Sequence, residues 1–242
     1  MKIPKTAPLI VLTGAGISAG SGLATFRGSG GLWAGYDINE VATPEGFQRD
    51  PELVHDFYNM RRHESAAALP NAAHRALAAL EDAWEGPFLL VTQNVDDLHE
   101  KAGSRRLIHM HGRLNSVLCT ACGKRSEWHE DTGSQIPCPH CGQPALRPDI
   151  VWFGEMPYHM EEIGAALENA GLFLSIGTSG TVYPAAGFVA YAKEQGAETV
   201  EINLENTHNP LFDRHVSGDA AATLPAFVES LLRSRSGNGS SI

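Results

Sequence analysis

The four cysteines, Cys119, Cys122, Cys138 and Cys141, fall as two Cys-x2-Cys pairs separated by fifteen residues, with no cysteine left over. Two knuckles that each present two thiolates can close a tetrahedral shell around one Zn²⁺. Four sulfurs leave no coordination position for water or substrate, so the expected metal is structural. Gly123 and Gly142 follow the second thiol of each pair and let the backbone turn back under the sulfur. Two disulfides are the competing arrangement, and His140 inside the second knuckle is a competing ligand. The opening Met-Lys-Ile-Pro-Lys-Thr has no apolar stretch of the kind a secretory signal needs, which favours thiolates in a reducing cytoplasm.

A chain of 242 residues, 43% hydrophobic, can bury a large core as one domain carrying a small insert. Its 18 Lys+Arg against 28 Asp+Glu give a formal charge of -10, so a nucleic acid partner is not expected. No apolar run is long enough to span a bilayer, and no membrane partner is expected either. Short β-branched and leucine-rich runs at 9–13, 88–92, 172–177 and 199–203 alternate with helical patterns, two of which start at Asp50-Pro51-Glu52 and Pro70-Asn71. Alternation of this kind predicts an α/β fold, a Rossmann-like doubly wound parallel sheet. Its large domain is expected over about 1–111 and 154–232, with a helical and loop insert at about 18–71. The zinc module is expected at about 112–153, and a frayed tail at 233–242.

The first strand runs into Gly14-Ala15-Gly16-Ile17-Ser18-Ala19, which fits the Gly-x-Gly-x-x-Gly/Ala fingerprint opening a helix. Gly14 permits a tight turn, Gly16 permits close backbone approach to a pyrophosphate, and a helix N-terminus offers free N–H groups to negative charge. A dehydrogenase would place a second strand ending in an acidic residue about twenty residues on. Asp37 stands at that distance, but in a Gly/Trp-rich loop.

Gly14 to Ser18, Ser21-Gly22 and Thr25-Phe26-Arg27-Gly28 resemble the signature of the sirtuins, the NAD-dependent protein-lysine deacylases. Further matches follow in order: Gln93-Asn94-Val95-Asp96, His111-Gly112, the four cysteines, Phe153-Gly154-Glu155, Gly177-Thr178-Ser179, Asn203-Leu204-Glu205 and Gly218-Asp219-Ala220. The resemblance runs from Leu9 to Leu232. It implies an enzyme that consumes NAD as a co-substrate, takes an acyl-lysine protein or peptide, and transfers the acyl group to ADP-ribose with release of nicotinamide. His111 is then the catalytic base acting on a ribose hydroxyl, and His109 is structural. Phe26 and Arg27 form a lid on NAD, with Trp33 nearby. Gln93, Asn94 and Asp96 hold nicotinamide and ribose, while Ala15, Gly177, Thr178, Ser179, Asn203, Leu204, Glu205 and Ala220 contact the rest of the cofactor. Read as residues alone, Asn94 and Asp96 are equally suited to capping the next helix. Val151, Phe153, Gly154 and Glu155 lie on an extended segment that pairs with the peptide.

Tyr58 and Arg61 are spaced i, i+3 on the helix begun at Asp50-Pro51 and share a face. A Tyr-x-x-Arg pair here, together with the small residue Ala42, resembles the bacterial class III sirtuins that accept acidic acyl groups, which implies deacetylase and desuccinylase capacity. Spacing alone also allows a rim tyrosine beside a solvated arginine. Protein ADP-ribosyl transfer at the same site is the alternative activity; a dehydrogenase and a zinc-ribbon binding module are the alternatives from other classes.

Overall fold

The computed structural model describes residues 3–4, 6–25 and 32–233. The expected lid residues Phe26 and Arg27 and the tail residues 234–242 lie outside them; Arg233, expected to open that tail, is the last residue of a helix. The strands and helices follow in chain order as β1 (Leu9–Thr13), β2 (Leu32–Trp33), β3 (Tyr36–Asp37), α1 (Ile38–Val41), α2 (Pro44–Arg49), α3 (Pro51–Ala67), α4 (Ala72–Ala83), β4 (Phe88–Thr92) and α5 (Leu98–Ala102). Then come β5 (Leu107–His109), β6 (Gly112–Cys119), β7 (Arg125–Glu127), β8 (Leu146–Ile150), α6 (Met160–Glu168), β9 (Leu172–Ile176), α7 (Phe188–Glu194), β10 (Glu198–Asn203), β11 (Arg214–Ser217) and α8 (Ala220–Arg233).

Six strands form one parallel sheet in the order β11-β10-β9-β1-β4-β5. Side chains alternate across each strand, so β1, β4, β5 and β9 feed a core on each face, whereas β10 and β11 give apolar side chains to one core only. Leu9, Val11, Leu90, Leu174 and Ile202 pack under α4 and α8 against Leu77, Leu80, Leu224 and Val228. Ile10, Leu12, Val91 and Phe173 pack on the other face against Ile163 and Leu167 of α6 and Phe188 and Val189 of α7. The doubly wound arrangement expected from the apolar runs is the observed one. β11 gave no such run because it is a largely exposed edge strand, Arg-His-Val-Ser.

Both anticipated helix starts are capped as their residues suggest. The Asp50 carboxylate accepts from the Leu53 amide with Pro51 in the first turn, and Asn71 closes a capping box with His74. A second sheet, antiparallel in the order β7-β6-β8, carries the cysteines at its end. Segment 151–155, expected to be extended, is a turn instead: β8 stops at Ile150, and the Glu155 amide donates to the Trp152 carbonyl at 3.0 Å.

Candidate active site

In the parallel sheet the chain leaves β1 toward β4 on one side and returns as β9 on the other, so β1 and β9 flank the switch point where open α/β sheets bind ligands. The glycine loop after β1 sits there. It does not open an α-helix; Ala15–Ile17 and Ala19–Ser21 form two short 3₁₀ turns. The Gly16 amide donates to the Gly177 carbonyl at 2.8 Å, so that N–H is not available to a phosphate. A Cβ on Gly16 would stand 2.7 Å from the Gly177 Cα and its carbonyl oxygen. The glycine is therefore required by the β1–β9 crossing itself, a tighter constraint than approach to a ligand.

A cavity of about 240 Å³ opens at this point. Gly14, Ala15, Ser18, Trp33, Gln93, Asn94, Asp96, His111, Gly177, Thr178 and Ser179 line it, and so do Ala42, Tyr58, Arg61, Val151, Phe153, Gly154 and Glu155. Gly16, Asn203, Leu204, Glu205 and Ala220 are not among its lining. Asn203 lies one layer behind, its Nδ2 donating to the Thr178 carbonyl at 2.8 Å. Leu23, Ala24, Thr25, Trp152, Val182 and Tyr183 also line the cavity without having been singled out as site residues.

Asn94 caps no helix, and Asp96, which accepts from the Leu98 amide at 3.2 Å, also faces Ser18. Ser18, 2% exposed, accepts from Asn94 Nδ2 and donates to Asp96 Oδ2, both at 3.0 Å. Its hydroxyl is thus spent on aligning two side chains. Burial pushes the Asp96 carboxyl above the usual carboxylate range, against the Leu98 amide and Ser18 hydroxyl bonds that hold it down. Gln93 donates to Thr178 Oγ1 at 3.0 Å, and its backbone carbonyl lies 3.2 Å from His111 Nδ1. That contact makes Nδ1 the protonated nitrogen and leaves Nε2 as acceptor. Burial lowers the His111 pKa, only partly offset by the Gln93 bond, which keeps the ring neutral near pH 7. His111 precedes Gly112, where φ is +84° and an added Cβ would fall 2.0 Å from the Asp149 carbonyl oxygen; only glycine lets β6 begin against β8 here. His109 is held at both nitrogens, by the Asn94 carbonyl at 3.1 Å and Glu100 at 2.7 Å.

Behind Ser18 lies His74. The Asn71 amide reaches its Nδ1 at 3.3 Å, so Nε2 carries the proton toward Ser18 Oγ at 3.5 Å. Burial lowers the His74 pKa from 6.5 to about 4. Between those values the unfolded chain binds the extra proton and the native one does not, so stability falls as pH falls through that window. The loss is about 3 kcal/mol, taking 1.36 kcal/mol per pKa unit. Urea midpoints measured from pH 7 to pH 4 should drop, and His74→Gln should remove that part of the slope; parallel slopes in both proteins would refute it.

At the far end of the cavity Tyr58 is fully buried and Arg61 is 5% exposed. Trp152 Nε1 donates to the Tyr58 hydroxyl at 3.1 Å, leaving the phenol proton to point elsewhere. Trp152 is itself fixed by Arg147, whose guanidinium lies 3.5 Å from the indole centroid and bonds Glu155 at 2.7 and 3.0 Å. Arg61 Nη1 pairs with Glu64 at 2.7 Å, its guanidinium lies 5.4 Å from the Trp33 ring centroid, and its Nε is buried without a partner. A buried unpaired donor at a cavity wall suits an anionic ligand group. Ala42, 4% exposed, holds the Phe153 amide on its carbonyl at 3.0 Å.

The four cysteine sulfurs lie within 4.8 Å of one another, with Cys119–Cys141 at 3.7 Å and Cys122–Cys138 at 3.8 Å. A zinc–sulfur bond of about 2.3 Å gives a tetrahedron edge of about 3.8 Å, so the thiols fit one zinc ion. No pair is a disulfide. Among the described residues, no helix is long and apolar enough to cross a membrane.

A parallel doubly wound sheet with a glycine loop at its switch point and a four-thiolate module beside it defines a dinucleotide-binding α/β protein. The Sir2 family pattern matches residues 14–184, and the chain belongs to the Sir2 family. It is 55% identical over 228 residues to an NAD-dependent protein deacylase of Bdellovibrio bacteriovorus, covering 93% of this chain and 96% of that one. A mutant Sir2 homologue in complex with ADP-ribose superimposes with a TM-score of 0.88 at 39% identity, covering 96% of this chain and 94% of that one. A Sir2 homologue–NAD complex gives 0.86 at 40% identity, covering 94% and 90%.

Proposed function

We propose that this protein is an NAD-dependent protein-lysine deacylase that removes both acetyl and succinyl groups, releasing nicotinamide, O-acyl-ADP-ribose and free lysine. One observation carries the reading: His111, the Asn94–Ser18–Asp96 set and the Tyr58–Arg61 pair line a single cavity at the sheet's switch point. NAD supplies the electrophilic ribose carbon and, later, the hydroxyl that takes the acyl group. Asn94 and Asp96 orient the nicotinamide end. Neutral His111, with Nδ1 tied to Gln93, takes the ribose hydroxyl proton on Nε2. The acyl-lysine peptide lies along Val151–Glu155. The Val151 and Phe153 amides already donate to the His111 and Ala42 carbonyls, so peptide pairing uses other backbone groups of that turn. Unpaired thiols suit a reducing compartment, and the cytoplasm is the location this reading assigns.

The reading is tested with one peptide carrying acetyl, succinyl or no acyl group, incubated with NAD. Nicotinamide release that depends on the acyl group supports it; label passing from NAD onto protein would select ADP-ribosyl transfer. In the same assay Arg61→Met should lower desuccinylation kcat/KM at least about tenfold, because a charge-assisted hydrogen bond contributes about 1.5–3 kcal/mol and 1.4 kcal/mol is tenfold. Deacetylation should change far less, since an acetyl group has no distal carboxylate. An unchanged ratio of the two activities, with thermal stability checked, would remove the acidic-acyl assignment.

A further inference from the structure

Helix α3 has two buried faces of opposite character. Tyr58 and Arg61 line the acyl end of the cavity, and Val54 packs with Tyr58 in the apolar cluster beside it. Glu52, His55, Asn59 and Arg62, spaced three and four residues apart, form a polar stripe on the other side, and three of these four are under 9% exposed. A buried polar stripe on a helix needs partners, and these come almost wholly from one segment between the second and third cysteines. Asn59 Nδ2 donates to the Thr132 carbonyl at 2.8 Å, and Asn59 Oδ1 accepts from the Thr132 amide at 2.8 Å and from its hydroxyl at 3.0 Å. His55 Nδ1 lies 2.8 Å from Thr132 Oγ1, and Ser134 bonds Glu52 through its amide at 3.3 Å and through its hydroxyl. Arg62 closes the set, with Nη1 on Asn59 Oδ1 and Nε on the Leu114 carbonyl of β6, both at 2.7 Å.

We infer that Asn59 and Thr132 form a clasp through which the cysteine-bearing module sets the axial rotation of α3, and thereby the placement of Tyr58 and Arg61 against the acyl group; the inference rests on the acidic-acyl reading above. Apolar packing on such a face would tolerate sliding by a fraction of a residue. Three hydrogen bonds between one amide side chain and one residue do not, because each loses its geometry when the helix turns. The Thr132 segment runs between the two cysteine knuckles, so the clasp belongs to the same module as β6 and β8. Asn59 and Thr132 touch neither the cavity nor the reacting groups; they are positioning residues.

The measurement is the ratio of desuccinylation to deacetylation kcat/KM on one peptide sequence, with the NAD KM and melting temperature alongside. Asn59→Ala and Thr132→Val should each lower that ratio by about threefold or more, a modest part of the roughly 100-fold that a 1 Å misplacement can cost. The NAD KM should hold, and Thr132→Ser, which keeps the hydroxyl, should restore the wild-type ratio. Thr132→Val leaves both backbone bonds to Asn59 in place and keeps the test alive if Asn59→Ala does not fold. Equal losses in both activities, or an unchanged ratio in the clasp variants while Arg61→Met shifts it, would overturn the clasp and leave the acyl pocket standing. An unchanged ratio in Arg61→Met itself would fell the pocket reading and the clasp with it.

Discussion

His111→Ala should lose about 10² to 10⁴ in deacylation kcat/KM while its affinity for NAD stays within a few-fold of wild type, because a general base contributes on that scale and acts only after the cofactor is seated. The argument rests on which nitrogen is free. Nδ1 is committed to the Gln93 carbonyl at 3.2 Å, so the lone pair of Nε2 is the basic site in the cavity. Burial disfavours the imidazolium, which puts the His111 pKa below the usual 6.5. Activity is lost when the ring protonates, so the acid limb of kcat/KM against pH should fall below 6.5 and disappear into the baseline of the alanine variant. His109→Ala is the control. Both its nitrogens are occupied, by Asn94 and Glu100, and it supports the loop without offering a base. Should His109→Ala lose the greater activity, the general base has been placed on the wrong histidine.

What the sequence made legible is what depends on nearest neighbours and simple periods. Buried parallel strands are continuous apolar runs, so β1, β4, β9 and β10 were readable, whereas β11 and the turn after β8 depend on partners far along the chain. The glycine loop was readable as a special backbone, but its reason was not. Gly16 is small because Gly177, 161 residues on, packs against it, and no local pattern announces that crossing. The four cysteines carried their own geometry in their spacing. Tyr58 and Arg61 shared a helix face by arithmetic, yet the groups that orient them did not follow from it: Trp152 lies 94 residues from Tyr58, and Thr132 lies 73 residues from Asn59. Asn203, Leu204 and Glu205, expected to contact the cofactor, lie outside the cavity wall. Motif order thus conveyed which residues gather, and only packing conveyed which of them face the same space.

Cys119→Ala should release zinc to a competing chelator under conditions that leave the wild type loaded, and should unfold the module around β6, β7 and β8 while the parallel sheet persists. Cys119 is fully buried at the end of β6, paired across to Leu146 of β8, so its thiol would hold the metal where the two strands of the antiparallel sheet meet. Structural zinc contributes about 10–16 kcal/mol in small metal-folded modules, comparable with the roughly 5–15 kcal/mol that stabilises a whole domain. The module offers little to replace it, since its own apolar cluster is Val117, Cys119, Cys138 and Leu146 with Trp128, Ile136 and Ala145 against them. The parallel sheet has two large cores independent of the cysteines. Hydrogen exchange should therefore show protection lost across residues 112–150 and kept in β1, β4, β9 and β10, with a lower melting temperature overall. Zinc remaining stoichiometric in Cys119→Ala against chelator, or purified wild type containing no zinc, would show that the four sulfurs do not hold a structural metal.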